Sequence, residues 1–196
     1  MQKITIILLY CLFIQSSYGQ QRVKVQAIQV DSSFDNASLL KLQDAVKVLD
    51  SIYNSEAFAQ AVLHTEFNVG NFGLSNSQIL ELIRSGADNY KDRPKDYSND
   101  IRVKLFNEYF GHGNFGITDM NTRVTRTHRC YILHNDVKCY ISHLGHEYMH
   151  QIGFYDERTW FAGTKTKSVP YKIGNIIDAL IDNPTHCLAK DETCTK

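Results

Sequence analysis

The residues with the most chemistry in this chain are His146-Glu147-Tyr148-Met149-His150-Gln151-Ile152-Gly153-Phe154-Tyr155-Asp156. Residues four apart in a helix lie about 6 Å apart along the axis and roughly 40° apart around it, so His146 and His150 can aim both imidazoles at one metal ion. Glu147 follows the first histidine directly and flanks the metal instead of joining its ligands. A carboxylate placed there can hold and deprotonate a water. Gly153 stands where a helix can end in the left-handed conformation that glycine enters without a Cβ penalty. The chain then reverses, and Asp156 is expected to reach back and complete a tripod with the two histidines. Glu157, the next residue, is the alternative if the turn is wider. The expected ion is Zn2+, with Glu147 as general base for hydrolysis.

The order H-E-x-x-H-x-x-G-x-x-D resembles the metzincin zinc signature with aspartate in place of the third histidine, and is closest to the small secreted snapalysin type. The resemblance covers eleven residues, His146 to Asp156. It implies an α+β fold with a small twisted metzincin-like sheet, a zinc-binding active-site helix and a small C-terminal subdomain. It also implies a zinc-dependent endopeptidase acting on a peptide or protein substrate. The chain departs from the pattern in one respect: its methionines are Met1, Met120 and Met149, so the methionine turn that metzincins place downstream of the zinc motif is missing. Its counterpart is expected at Ser168-Val169-Pro170-Tyr171, where Pro170 stiffens a turn. Tyr171 would then project toward the zinc and contact the metal or the oxyanion, or else be a core tyrosine.

Other sources of a third ligand fit less well. Ala162 to Leu180 holds no glutamate of the kind a gluzincin needs, and Gly163-Thr164 is followed by Lys167 where an aspzincin needs aspartate. The rival reading is a secreted zinc-fold binding protein without turnover. Glu147 argues against it, since a pure binding module has no use for a carboxylate at that position.

These groups need a framework. Leu39, Leu42, Val46, Leu49 and Tyr53 fall at helical spacing from Asn36, a second helical stretch covers Ser55 to Thr65, and Ser75-Asn76-Ser77-Gln78 begins a third with a capping box. Val23, Val25 and Ala27 share one parity of a first strand. Lys91 to Asp100 is polar, contains Pro94 and reads as an exposed connection. Ile101 to Phe110, Gly116 to Thr118 and Thr122 to His134 are rich in β-branched and aromatic residues and read as successive strands. The last of these is the expected edge for an added peptide strand. Asn135-Asp136 reads as a turn before Val137 to Tyr140, with the zinc helix starting near Ser142. His143, three residues before His146 on the same helix face, is expected as a cap at that start, with a place at the edge of the site as the alternative. His64, His112, His128, His134 and His186 lack ligand spacing, and Phe154, Tyr155, Trp160 and Phe161, a group that more often forms core than a substrate shelf, are left unassigned.

Met1-Gln2-Lys3, an apolar run from Ile4 to Ile14 and the small residues up to Gly19 describe a cleavable export signal over residues 1–19. The mature domain is then 20–196, with a helical part at about 36–90 and a catalytic part at about 100–196, in a secreted or periplasmic location. Lysine plus arginine and aspartate plus glutamate each number 21, with no basic stripe for nucleic acid and no later membrane anchor. Nothing in the sequence fixes an oligomeric state. Cys130, Cys139, Cys187 and Cys194 remain after the leader and suggest two disulfides, Cys130–Cys139 across a hairpin and Cys187–Cys194 in a tail loop. Their spacing lacks the close pairs of a zinc cluster.

Overall fold

Local hydrogen bonding starts the helices where polar residues meet apolar runs. α1 (Asn36–Tyr53) opens on a capping box: the Asp35 carboxylate accepts from Ser38 N–H at 2.8 Å, and the Ser38 hydroxyl accepts from Asp35 N–H at 3.1 Å. α2 (Glu56–Leu63) begins where the Ser55 hydroxyl accepts from Phe58 N–H, and α3 (Asn76–Arg84) begins at Ser75 with the expected capping box. In this computed structural model the described residues are 21–91, 96–107, 115–156 and 167–182.

Four strands form one mixed sheet: β1 (Lys24–Val30), β2 (Ser98–Phe106), β3 (Gly116–Asp119) and β4 (Val124–His128), in the order β1-β2-β4-β3. β1, β2 and β4 are parallel, and β3 returns antiparallel to β4. Three further helices follow, α4 (Arg129–His134), α5 (Val137–Gln151) and α6 (Val169–Leu180), which makes the chain α+β.

α5 is packed against α1, α6 and the sheet. Leu42, Leu49, Ile101, Val103, Leu144 and Ile173 meet in a single buried cluster drawn from both parts of the chain. Each such side chain contributes about 1.5–3 kcal/mol by leaving water. The α5–α6 crossing is close because Gly145 has no Cβ: one built there would collide with Cδ1 of Ile177. Among the described residues no helix is long and apolar enough to cross a membrane.

Several expectations are corrected. The strand expected over Thr122 to His134 ends at His128, where the ring accepts from Cys130 N–H and the chain enters α4. Tyr131 and Ile132 are buried in that helix, so the aromatic and β-branched content that suggests a strand serves a helical core face. β4 is also internal, and among the described residues the sheet ends at β1 on one side and β3 on the other. The helix that carries His146 and His150 begins at Val137, not Ser142, because the Asp136 carboxylate caps it by accepting from Lys138 N–H at 2.9 Å. His143 therefore lies within the helix and is no cap. With helices at both Cys130 and Cys139, the hairpin behind their expected pairing is absent, and Cys187 and Cys194 lie outside the described residues.

The polar connection is shorter than expected, since Ser98, Asn99 and Asp100 belong to β2. Asn99 faces inward and accepts from the Tyr148 hydroxyl at 2.8 Å, so a polar residue occupies a core position there.

Candidate metal centre

α5 carries His146 and His150 on one face, with ring centroids 5.0 Å apart. The helix ends after Gln151 in a Schellman turn: Phe154 N–H donates to Met149 C=O at 2.9 Å and Gly153 N–H to His150 C=O at 3.0 Å. Gly153 has φ +107°, and a Cβ there would lie 2.7 Å from Cδ1 of Tyr90. The reversal expected from the glycine is thus present. It carries Asp156 back over the histidines, with Oδ2 at 3.5 Å from His150 Nε2 and 3.9 Å from His146 Nε2.

The three ligand atoms lie within 4.8 Å of one another. Tetrahedral ligands about 2.0–2.1 Å from zinc stand about 3.3 Å apart, so small side-chain rotations would close the tripod on an ion. The backbone also fixes one imidazole. His150 Nδ1 lies 2.8 Å from Phe154 C=O, and as the donor there it leaves the Nε2 lone pair free. The Pro170 carbonyl lies close enough to His146 to oppose the downward shift of its pKa. Both features fit a zinc ligand set of two neutral imidazoles and one carboxylate. Glu157 lies outside the described residues.

Electrostatics differ between the two histidines. Burial, reinforced by the charge of His150, pushes His146 down to about 4. Burial also lowers His150, but its hydrogen bond to Asp156 and the charges of Glu147 and Asp156 outweigh that and raise it overall. Asp156 is opposed by burial yet held below the usual carboxylate range by hydrogen bonds from His150 and Ser168. Without a metal, a proton bound on His150 thus faces an ionised Asp156.

Glu147 is buried, and burial raises its carboxyl against the countering charge of His150 and the hydrogen bond from Thr118. Thr118, on β3, donates to Glu147 Oε2 at 2.6 Å. His143 is buried, with a pKa pushed down to about 3, and its Nε2 lies 3.2 Å from the Thr127 hydroxyl. Tyr171 sits in the first turn of α6 rather than in a separate turn, and its ring packs edge-on to His146 with centroids 4.6 Å apart. A cleft of about 330 Å³ is lined by His143, His146, Glu147 and Tyr171 together with Phe115 and Tyr131, which stack at 4.2 Å.

All five residues singled out from the sequence, His146, Glu147, His150, Asp156 and Tyr171, are therefore gathered in one place. Two others join them that sequence reasoning missed. Ser168 caps α6 by position but makes no side-chain capping bond, and its hydroxyl donates to Asp156 Oδ1 at 2.6 Å. Thr118 was hidden because its inward orientation depends on pairing with Thr125 across β3 and β4. Ser168 entered the sequence reading only as the first residue of an expected turn, Ser168-Val169-Pro170-Tyr171, with no sign of its bond to Asp156. Comparison with protein-family models, with curated proteins and with solved structures finds no match for this chain.

Proposed function

We propose that this chain is an exported, metzincin-like zinc endopeptidase, in which His146, His150 and Asp156 hold the ion and Glu147 is the general base. The observation that carries the reading is the convergence of two imidazole Nε2 atoms and one carboxylate oxygen, with one of those imidazoles, His146, and the buried Glu147 lining a cleft. A zinc ion held there supplies Lewis acidity, which makes a water more acidic and polarises the scissile carbonyl. Glu147 accepts the proton of the attacking water and returns it to the leaving amine. Tyr171 remains a neutral donor, because burial and the charges of Asp156 and Glu147 raise its pKa, and its hydroxyl serves the developing oxyanion. An extended peptide adds along β3, the sheet edge whose Thr118 touches Glu147.

The test is metal analysis of the purified protein together with cleavage of a peptide library, with Glu147→Gln as control. The parent should hold one zinc and cleave. The variant should keep the zinc and lose turnover by about 10²–10⁴-fold, since the base is removed while the ligands stay. A Glu147→Gln protein as active as the parent, or a parent that binds no zinc, would end this reading.

A further inference from the structure

Behind Glu147 lies a chain of buried hydrogen bonds that runs in one direction. Gln151, one helical turn beyond Glu147, has its amide orientation fixed by the backbone of Arg102: Oε1 accepts from Arg102 N–H at 3.1 Å, and Nε2 donates to Arg102 C=O at 3.1 Å. The amide cannot be flipped without losing both bonds. Its second N–H points at Thr125 Oγ1, 2.7 Å away. An amide N–H only donates, so the Thr125 hydroxyl accepts and directs its own hydrogen to Thr118 Oγ1 at 2.8 Å. Thr118 then gives its hydrogen to Oε2 of Glu147 at 2.6 Å, in preference to the Glu147 carbonyl at 3.3 Å.

Thr125, Gln151, Glu147 and Thr118 are 0%, 4%, 5% and 7% exposed, so water does not compete for these bonds and each polarises the next. The other carboxylate oxygen is treated differently. His143 Nδ1 is 3.9 Å from Oε1, too far for a hydrogen bond, and no other donor among the described residues reaches that oxygen.

We infer that Thr118, backed by Thr125 and Gln151, is a positioning residue that commits Oε2 of Glu147 to accepting a hydrogen bond and so reserves Oε1 for proton transfer. In the reaction the water O–H bond breaks as the H–Oε1 bond forms. The same proton leaves Oε1 for the amine nitrogen as the C–N bond breaks, so the carboxylate is regenerated. This inference rests on the peptidase reading above.

Thr118→Val keeps the shape of the side chain and removes the donor. It should lower kcat about tenfold or more, with KM and zinc content unchanged. Thr118→Ser should recover kcat, and Thr125→Val should cost less than Thr118→Val because it cuts the chain one step back. In a Glu147→Gln background, Thr118→Val should cause no further loss. A readout independent of turnover is the Glu147 carboxyl band in infrared difference spectra of the metal-free protein, identified with Glu147→Gln, which should shift in Thr118→Val. Parental kcat and an unshifted band in Thr118→Val would overturn the inference while leaving the peptidase reading intact. So would loss of zinc or early melting that Thr118→Ser does not repair. A parent that cleaves no peptide would instead sink the peptidase reading, and with it the proton role given to Oε1.

Discussion

The Ser168 hydroxyl donates to Oδ1 of Asp156 at 2.6 Å, which leaves Oδ2 turned toward the two imidazoles. Ser168 is fully buried at the start of α6, and its backbone is pinned by a bridge to Val69, so the carboxylate is tethered to a fixed point. Ser168→Ala should weaken zinc binding by about 10–100-fold, as loss of the group that orients a ligand usually does. Asp156→Ala should weaken it further, because only two imidazoles remain. Asp156→His should retain zinc and shift the pH profile toward acid, since the metal unit is then more positive. Titration of the metal-free variants with zinc checks all three. An Asp156→Ala protein of parental affinity would remove Asp156 from the site.

Metal binding should be linked to protons. In the metal-free protein His150 is raised by Asp156 and Glu147 despite burial, so it carries a proton below that raised pKa, and zinc must expel it. Apparent affinity should therefore climb by up to about tenfold per pH unit below the His150 pKa and level off above it. His146, pushed down to about 4, is already neutral at these pH values and releases nothing. Calorimetry of zinc binding in two buffers with different ionisation enthalpies measures the proton count directly. Binding that releases no proton at mildly acidic pH would contradict the His150–Asp156 pairing.

Gly153→Ala tests the reversal. At φ +107° an alanine is strained by roughly 1–3 kcal/mol, and its Cβ would press on Tyr90 at 2.7 Å. The metal-free protein should melt several degrees lower. Zinc affinity should fall with it, because Phe154 C=O and Asp156 are both delivered by that turn. Unchanged melting and unchanged affinity would show that the turn is not what delivers Asp156.

Export and oxidation can be read together from the secreted form. Intact mass should correspond to a chain beginning at Gln20, and alkylation without reductant should find no free thiol on Cys130, Cys139, Cys187 or Cys194. Non-reducing peptide mapping then gives the pairing. A retained leader or a reactive thiol would count against an oxidising compartment.

What the sequence determined by itself is local. The i, i+4 histidines, the adjacent glutamate and the helix-ending glycine are features of one helix and its cap, set by a 3.6-residue period and by the steric freedom of a residue without Cβ. The capping box of α3 and the apolar stripe of α1 are legible for the same reason. The boundary after β4 was not legible. Tyr131 and Ile132 suit a strand and a helix alike, and burial against the core chose the helix. Ser168 and Thr118 lie 12 and 29 residues from the side chains they hold. Sequence periodicity carries no record of which α6 terminus meets Asp156 or which strand face meets Glu147. The packing of α6 on α5 across Gly145, and the register of β3 on β4, decided those partners by bringing distant hydroxyls within 2.6 Å of the half-buried Asp156 and the buried Glu147.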